Sequence, residues 1–135
     1  MKLPYLEVLE KSPEGKTERR IKYPILSVTL RLGTEEIGDF PVLIDTGSTS
    51  CVFNAFIAKG LGIEKVEKGK KKQIIGIGGE ENVHFFEVLM KVEDGQFSPC
   101  EVGFSPKSNL PYGGVLGYFA FLDRFTVRLE NEFLR

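Results

Sequence analysis

The sequence has few of the residues on which most catalytic and metal sites depend. Its 135 residues include one histidine, two cysteines and no tryptophan. Because a histidine-based zinc site needs more than one imidazole, His84 cannot supply one from a single chain, and we predict no metal site. Cys51 and Cys100 stand in a chain without the apolar segment of a secretory signal, which favours free thiols over a disulfide.

An excess of charge of one sign is also absent. Lys and Arg total 18, Asp and Glu total 19, and the formal net charge is -1. This balance argues against nucleic acid as a partner, because nucleic-acid-binding domains carry a strongly basic surface. The most basic segment, residues 64–72, holds five Lys and two Glu. We interpret it as a solvated loop, with nucleic-acid binding as the lesser alternative.

Long hydrophobic runs are missing too. No apolar stretch approaches the ~20 residues that a membrane-spanning helix needs. Residues 1–11 mix Glu, Lys and Pro with apolar side chains, so we predict a cytoplasmic protein with no membrane partner. The length suits a single domain over residues 1–135, with a core over about 22–130 and a polar N-terminal arm and loop over 1–21.

Short strands dominate the hydrophobic pattern that is present. Residues 26–32 alternate between apolar and polar, which is typical of a strand with one buried face. Residues 40–44 are apolar throughout, which predicts a strand buried on both faces. Two further strands, residues 73–78 and 83–92, are predicted on either side of a glycine-rich tip near 79–82. Two later strands, residues 97–104 and 125–130, complete the pattern.

Helical spacing is limited. Within residues 52–62, Phe53, Phe56 and Ile57 would share one side of a helix. Residues 118–123 could add one or two helical turns. We therefore predict an all-β fold, mainly β with one or two short helices.

Asp45 is the residue with the most chemical information. It follows the apolar strand directly and precedes Thr46, Gly47 and Ser48. A carboxylate at the end of a buried strand is costly to desolvate, so it needs donors such as the hydroxyls and backbone N–H groups of this turn. The alternative is that Asp45 caps a helix beginning near Ser50.

Three segments, in this order along the chain, resemble the retropepsin-like aspartic proteases, the single-lobe type found in retroviruses and in many cellular proteins. Residues 42–48 (VLIDTGS) resemble the strand and catalytic turn, and residues 74–79 (IIGIGG) resemble the flap hairpin. Residues 115–117 (VLG), followed by 119–125, resemble the apolar-apolar-Gly segment and the short helix behind the active site. The resemblance implies a closed or partly open retropepsin-like barrel, one lobe per chain, with the active site at a homodimer interface.

The resemblance also assigns roles to the residues of the catalytic turn. Asp45 would be the catalytic carboxylate, supported by Thr46, Gly47 and Ser48. Thr46 would lock the two catalytic loops together across the dimer axis, and the Ser48 hydroxyl would donate to the Asp45 carboxylate.

Two other segments would complete the site by the same resemblance. The flap residues that bind substrate would be Ile77, Gly78 and Gly79, where glycine lets the backbone approach a peptide closely. The support behind the active site would be Val115, Leu116 and Gly117; the first two would pack beneath the Asp45 loop, and the glycine would permit a close crossing of the chain.

Aspartic proteolysis needs two neighbouring carboxylates that share one proton. The chain has four aspartates, at positions 39, 45, 94 and 123, and one Asp-Thr-Gly. The second carboxylate must therefore come from a second copy of the chain. The sequence predicts an aspartic endopeptidase that acts as a homodimer on an extended peptide or protein substrate, without a metal or organic cofactor.

Two alternatives stay open. Many members of the family have Arg and then Asp or Asn after the third-segment glycine, whereas this chain has Tyr118 and Phe119. Loss of that polar brace keeps open a catalytically weak or inactive peptide-binding and dimerisation module of the same fold. A different enzyme class would use Cys51 or Cys100 as the nucleophile and His84 as the base.

Overall fold

The computed structural model of the chain describes residues 6–11, 14–15, 18–76, 79–106, 109–119 and 121–124. The described part is mainly β, with one short helix, α1 (Ala55–Gly60), and 3₁₀ turns over Val66–Lys68 and Leu122–Arg124. Its strands are β1 (Leu6–Lys11), β2 (Glu18–Tyr23), β3 (Ile25–Leu32), β4 (Glu35–Ile44), β5 (Val52–Phe53), β6 (Lys70–Gly76), β7 (Gly79–Val92), β8 (Ser98–Phe104) and β9 (Gly114–Leu116).

Six of these strands close into a barrel. Their order is β3-β4-β9-β5-β8-β7, and β7 pairs back with β3 to complete the ring. The pairs β4–β9 and β5–β8 are parallel, and the other pairs of the ring are antiparallel. Strand β6 pairs with β7 outside the ring. The prediction of an all-β fold is confirmed, and the barrel is closed.

The core fills this ring. Strand β3 turns Leu26, Val28 and Leu30 inward, as its alternating pattern predicts. Phe53 lies among other aromatic rings: its centroid is 5.7 Å from that of Phe40, edge to face. Burial of such rings removes large apolar areas from water, which stabilises a barrel built from short strands.

The N-terminal segment differs from the predicted arm and loop. Strands β1 and β2 form a separate antiparallel two-stranded sheet, with Leu6 opposite Tyr23. The register runs from there to Lys11 opposite Glu18. Strands therefore occupy much of the segment that was predicted to be a polar arm and loop.

Strand β4 is not buried on both faces, so that prediction is wrong. Phe40 and Val42 are buried, whereas Pro41 between them is exposed and Leu43 and Ile44 are half-buried. One face of the strand lines the barrel core and the other faces outward. Because the Pro41 side chain faces outward, a proline at this position costs the core no buried side chain.

The predicted helix over residues 52–62 is shorter than its spacing suggested. Phe53 lies in strand β5, and Phe56 is 51% exposed, so these two do not share a buried side with Ile57. The buried side of α1 consists of Ile57 and Ala58 instead. A two-residue strand has no periodicity of its own, and only its pairing with β8 and β9 identifies it.

The basic segment, residues 64–72, is not a plain loop. It forms a 3₁₀ turn at Val66–Lys68 and then the first residues of β6. The Lys72 ammonium pairs with the Glu101 carboxylate and lies 4.7 Å from the centre of the Phe85 ring. The final predicted strand, residues 125–130, lies outside the described residues. Across the part of the chain that the structure describes, no helix combines the length and apolar character required to cross a bilayer.

Candidate active site

Strand pairing brings the first and third sequence segments together. Strands β4 and β9 run parallel, with Leu43 opposite Val115 and Ile44 opposite Leu116. The carboxyl ends of parallel strands meet at the same edge of a sheet. The turn that begins at Asp45 therefore lies beside Gly117, at one edge of the barrel.

Asp45 is held by its backbone on both sides. Its N–H donates to the Leu116 carbonyl at 3.0 Å, which continues the β4–β9 ladder by one bond. Its carbonyl accepts the Ser48 N–H at 3.1 Å, which closes the turn. The Asp45 side chain is half-buried, and its Oδ1 accepts the Gly47 N–H at 3.0 Å. The carboxylate thus stands at the mouth of the turn with one backbone donor.

The Ser48 hydroxyl does not contact Asp45, contrary to the role that the resemblance implied. It donates to the Ser50 carbonyl at 2.8 Å, while the Ser48 carbonyl accepts the Tyr118 N–H at 2.8 Å. Both contacts tie Ser48 to the residues that follow the turn and to the segment after β9. Thr46 and Gly47 are exposed at its tip.

Gly117 lies where the chain crosses close to the segment that follows the Asp45 turn, at Ser50. A Cβ atom at this position would overlap the backbone of Ser50, including its carbonyl oxygen. Leu116 is fully buried and Val115 almost so. The structure therefore brings residues 45–48 and 115–117 together, with Leu116 in the main core, Val115 in a second apolar cluster beside Val52, and the glycine at the crossing.

The interpretation of Asp45 as a helix cap is wrong. Helix α1 begins at Ala55, and its N-cap residue is Asn54. Asp45 lies well before the first turn of the helix, and its carboxylate bonds to the Gly47 N–H within its own turn.

Asn54 is a supporting residue that the sequence interpretation missed. It is buried, its side-chain amide donates to the carbonyls of Leu110 (3.1 Å) and Tyr112 (2.8 Å), and its Oδ1 accepts the Leu110 N–H (2.8 Å). Its own N–H donates to the Gly113 carbonyl, just before β9. The sequence did offer a signal for this role: Asn54 is a polar residue between the apolar Phe53 and Ala55. A polar residue that is buried there needs hydrogen-bond partners.

The second sequence segment forms a hairpin between β6, which lies outside the ring, and the first part of the ring strand β7. Strands β6 and β7 pair in register up to Gly76 opposite Gly79. Residues 80–82, predicted to lie near the tip, are in β7 and pair with β6. Gly79 is the first residue of β7, whereas Ile77 and Gly78 lie outside the described residues.

The two cysteines are free thiols inside the barrel. The Cys51 thiol accepts a hydrogen bond from the Cys100 thiol, and this bond lowers the pKa of Cys51. The same bond, together with burial, raises the pKa of Cys100. Cys51 Sγ also lies 3.8 Å from the Phe119 carbonyl oxygen. Neither thiol is exposed to a substrate, and His84 lies on β7, opposite Lys71 of β6 and Phe104 of β8.

The other described aspartates occupy separate settings. Asp39 accepts the Thr29 hydroxyl at 3.3 Å within the barrel wall, Asp94 lies in the turn between β7 and β8, and Asp123 lies in the last 3₁₀ turn. Over the described ranges, no group of three or more His, Cys, Asp or Glu side chains is arranged to hold a metal ion.

No family model matches the chain, and a search of curated proteins found no match. The interpretation of the site therefore depends on its own geometry. That geometry is a carboxylate on a glycine-containing turn, at the barrel edge where two parallel strands end.

Proposed function

We propose that the protein is a retropepsin-like aspartic endopeptidase that hydrolyses peptide bonds as a homodimer. The observation that carries this proposal is the Asp-Thr-Gly turn at the end of β4, which is bonded to β9 and crossed by Gly117. The arrangement presents one carboxylate at a barrel edge, with Thr46 and Gly47 exposed beside it. Such an edge can face its own copy across a two-fold axis.

The chemistry follows from placing two Asp45 carboxyl groups side by side. Like charges at close range cannot both ionise, so one group stays protonated. The ionised group takes a proton from a water whose oxygen attacks the scissile carbonyl carbon, and the protonated group donates to the carbonyl oxygen. The tetrahedral intermediate then collapses: the carboxyl group that took the water proton gives it to the amide nitrogen, the C–N bond breaks, and a hydroxyl of the intermediate returns a proton to the other carboxylate. No cofactor enters this sequence of steps.

An extended peptide is the substrate form that suits this edge. Strand β6 of the β6–β7 hairpin lies outside the closed ring, at the end of the sheet order, so its outer edge would offer backbone groups that the ring does not use. A peptide in the cleft would add main-chain hydrogen bonds to this hairpin and to the segment near Asp45. Gly79, with Ile77 and Gly78, would form the covering flap.

A second candidate is a peptide-binding dimer with little turnover. It is favoured by the Ser48 hydroxyl, which bonds to Ser50 rather than to the catalytic carboxylate. A cysteine enzyme has less support, since Cys51 and Cys100 are 0% and 2% exposed. Undiminished cleavage after treatment with a thiol-alkylating reagent would separate the aspartic from the cysteine mechanism.

The test is cleavage of a diverse peptide library by the purified chain, from acidic to neutral pH. We expect turnover by wild type and a loss of at least about 1,000-fold in Asp45→Asn, because general acid and base are both removed from the dimer. Asp94→Asn, an exposed aspartate in the β7–β8 turn, is the matched control and should keep full activity. Equal cleavage by wild type and Asp45→Asn would refute the proposal.

A further inference from the structure

Two aromatic side chains are exposed at the same barrel edge as Asp45. Tyr118 and Phe119 are 52% and 59% exposed, the largest exposed fractions among the described large hydrophobic residues. Their rings contact each other edge to face, with centroids 5.4 Å apart. Since β4 and β9 are parallel and in register, the residues that follow β9 emerge beside those that follow β4.

The backbone fixes this aromatic pair to the catalytic turn. The Tyr118 N–H donates to the Ser48 carbonyl at 2.8 Å, and the Phe119 N–H donates to the Thr49 carbonyl at 2.9 Å. On the other side, the Asp123 N–H donates to the Tyr118 carbonyl at 2.8 Å. The pair is therefore held in place before any partner binds, so little ordering entropy would be lost on association.

We propose that Tyr118 and Phe119 form a contact with a second copy of this chain, beside the two-fold axis that joins the Asp45 carboxylates. The inference depends on the proposed function in one respect: an Asp45 site is incomplete without a second copy. A two-fold axis between two Asp45 side chains brings each copy's barrel edge against the other. Residues bonded to Ser48 and Thr49 cannot lie far from that axis.

The area of the pair suits an anchor within a larger interface. A ring that is half exposed leaves roughly 100 Å² to be covered, so the four rings of a dimer would cover roughly 400 Å². Specific interfaces bury about 1,200–2,000 Å² in total, and a few aromatic residues near the centre carry most of the binding energy. Two exposed rings side by side, on backbone that is hydrogen-bonded to Ser48 and Thr49, match that description.

The test is the dimer dissociation constant, measured by sedimentation over a range of concentrations. We expect the double variant Tyr118→Ser with Phe119→Ser to raise this constant by at least about 30-fold, the effect of losing an aromatic hot spot. The control variant Phe56→Ser removes an equally exposed ring from α1 and should leave the dissociation constant unchanged. The exchanged pair, Tyr118→Phe with Phe119→Tyr, keeps both rings and should dimerise like wild type. Thermal unfolding of each variant checks that the monomer is folded.

Activity separates this inference from the proposed function. The serine double variant should regain activity per mole as its concentration rises, because the chemistry is intact in each dimer that forms. A wild-type dimer that the double variant weakens, but that cleaves no peptide, would support the contact and refute the protease. A double variant with the wild-type dissociation constant would overturn the contact, and a raised KM in that case would assign the rings to the substrate cleft. A wild type that is monomeric at every concentration would overturn both.

Discussion

The Asp45 carboxylate combines partial burial with a single backbone donor, the Gly47 N–H. The backbone fixes the turn in addition, through the bond from the Asp45 N–H to Leu116 and the bond from the Ser48 N–H to the Asp45 carbonyl. In the proposed dimer, a Ser48 hydroxyl that bonds to Ser50 would leave Asp45 oxygen atoms for water and for the carboxylate of the second copy.

Gly117 is the residue at which the smallest change should have the largest structural effect. Gly117→Ala would place a Cβ against the Ser50 backbone, which cannot move as a flexible side chain does. We expect a loss of about 2–3 kcal/mol in the free energy of unfolding, as in overpacked cores. Urea denaturation at fixed protein concentration measures it.

The comparison for that prediction is Gly33→Ala. Gly33 has open space around its Cβ position but a positive φ of 61°, so its substitution costs about 1 kcal/mol from backbone strain alone. If Gly117→Ala were as stable as wild type, the crossing at Ser50 would not be as tight as the structure describes.

At the scale of elements, the site depends on strand pairs that join distant segments. Strand β5 is two residues long, yet it bridges β8 and β9, and the Asn54 that follows it anchors the loop before β9. That loop in turn sets where β9 meets β4, and so where Gly117 meets the turn that begins at Asp45. The Gly113 N–H also donates to the Pro41 carbonyl at 2.8 Å, which fastens the loop to β4.

Asn54→Ala should therefore destabilise the fold and loosen this loop. The change leaves the Leu110 N–H and the carbonyls of Leu110 and Tyr112 without their side-chain partner, at a cost of about 2–3 kcal/mol. Urea denaturation measures the cost, and hydrogen exchange of the Leu110 amide measures the loosening. The exposed Asn82 provides the control, because Asn82→Ala removes a side chain on β7 that is open to solvent. Equal stability of the two variants would contradict the anchoring role of Asn54.

Much of the element pattern could be predicted from the sequence. Strand β3, for example, has the predicted alternation, and β8 buries Cys100, Val102 and Phe104. The prediction was wrong at β5, which only its pairing with β8 and β9 identifies, and at β4, whose Pro41 faces outward. The many charged residues near the N-terminus favoured the prediction of an arm and loop, whereas β1 and β2 pair as antiparallel strands there.

At the scale of the whole molecule, the closed barrel leaves one carboxylate per chain at the candidate site. Closure through the β3–β7 pairs joins the ring on the far side from the β4–β9 pair, where the turn with Asp45 follows β4. A second copy would supply the second carboxylate, so the proposed chemistry requires a homodimer.

The pH dependence of cleavage is the prediction that belongs to the dimer. Activity needs one carboxyl protonated and the other ionised, so kcat/KM should follow a bell-shaped profile. It should fall at low pH, where both groups are protonated, and at high pH, where both are ionised. Initial rates on a fluorogenic peptide from the library screen measure it. A flat profile over the acidic range would contradict a shared-proton pair.

Local features were determined by the sequence alone. Side-chain alternation specifies a strand because its period is local, and the Asp-Thr-Gly turn is recognisable because its three residues are adjacent. Only the tertiary structure decided that β9 lies beside β4, that Asn54 anchors the loop before β9, and that Ser48 bonds to Ser50 rather than to Asp45. The first two contacts join residues far apart in the chain, so no local pattern encodes them; the third depends on how the turn is packed against Gly117 and Tyr118.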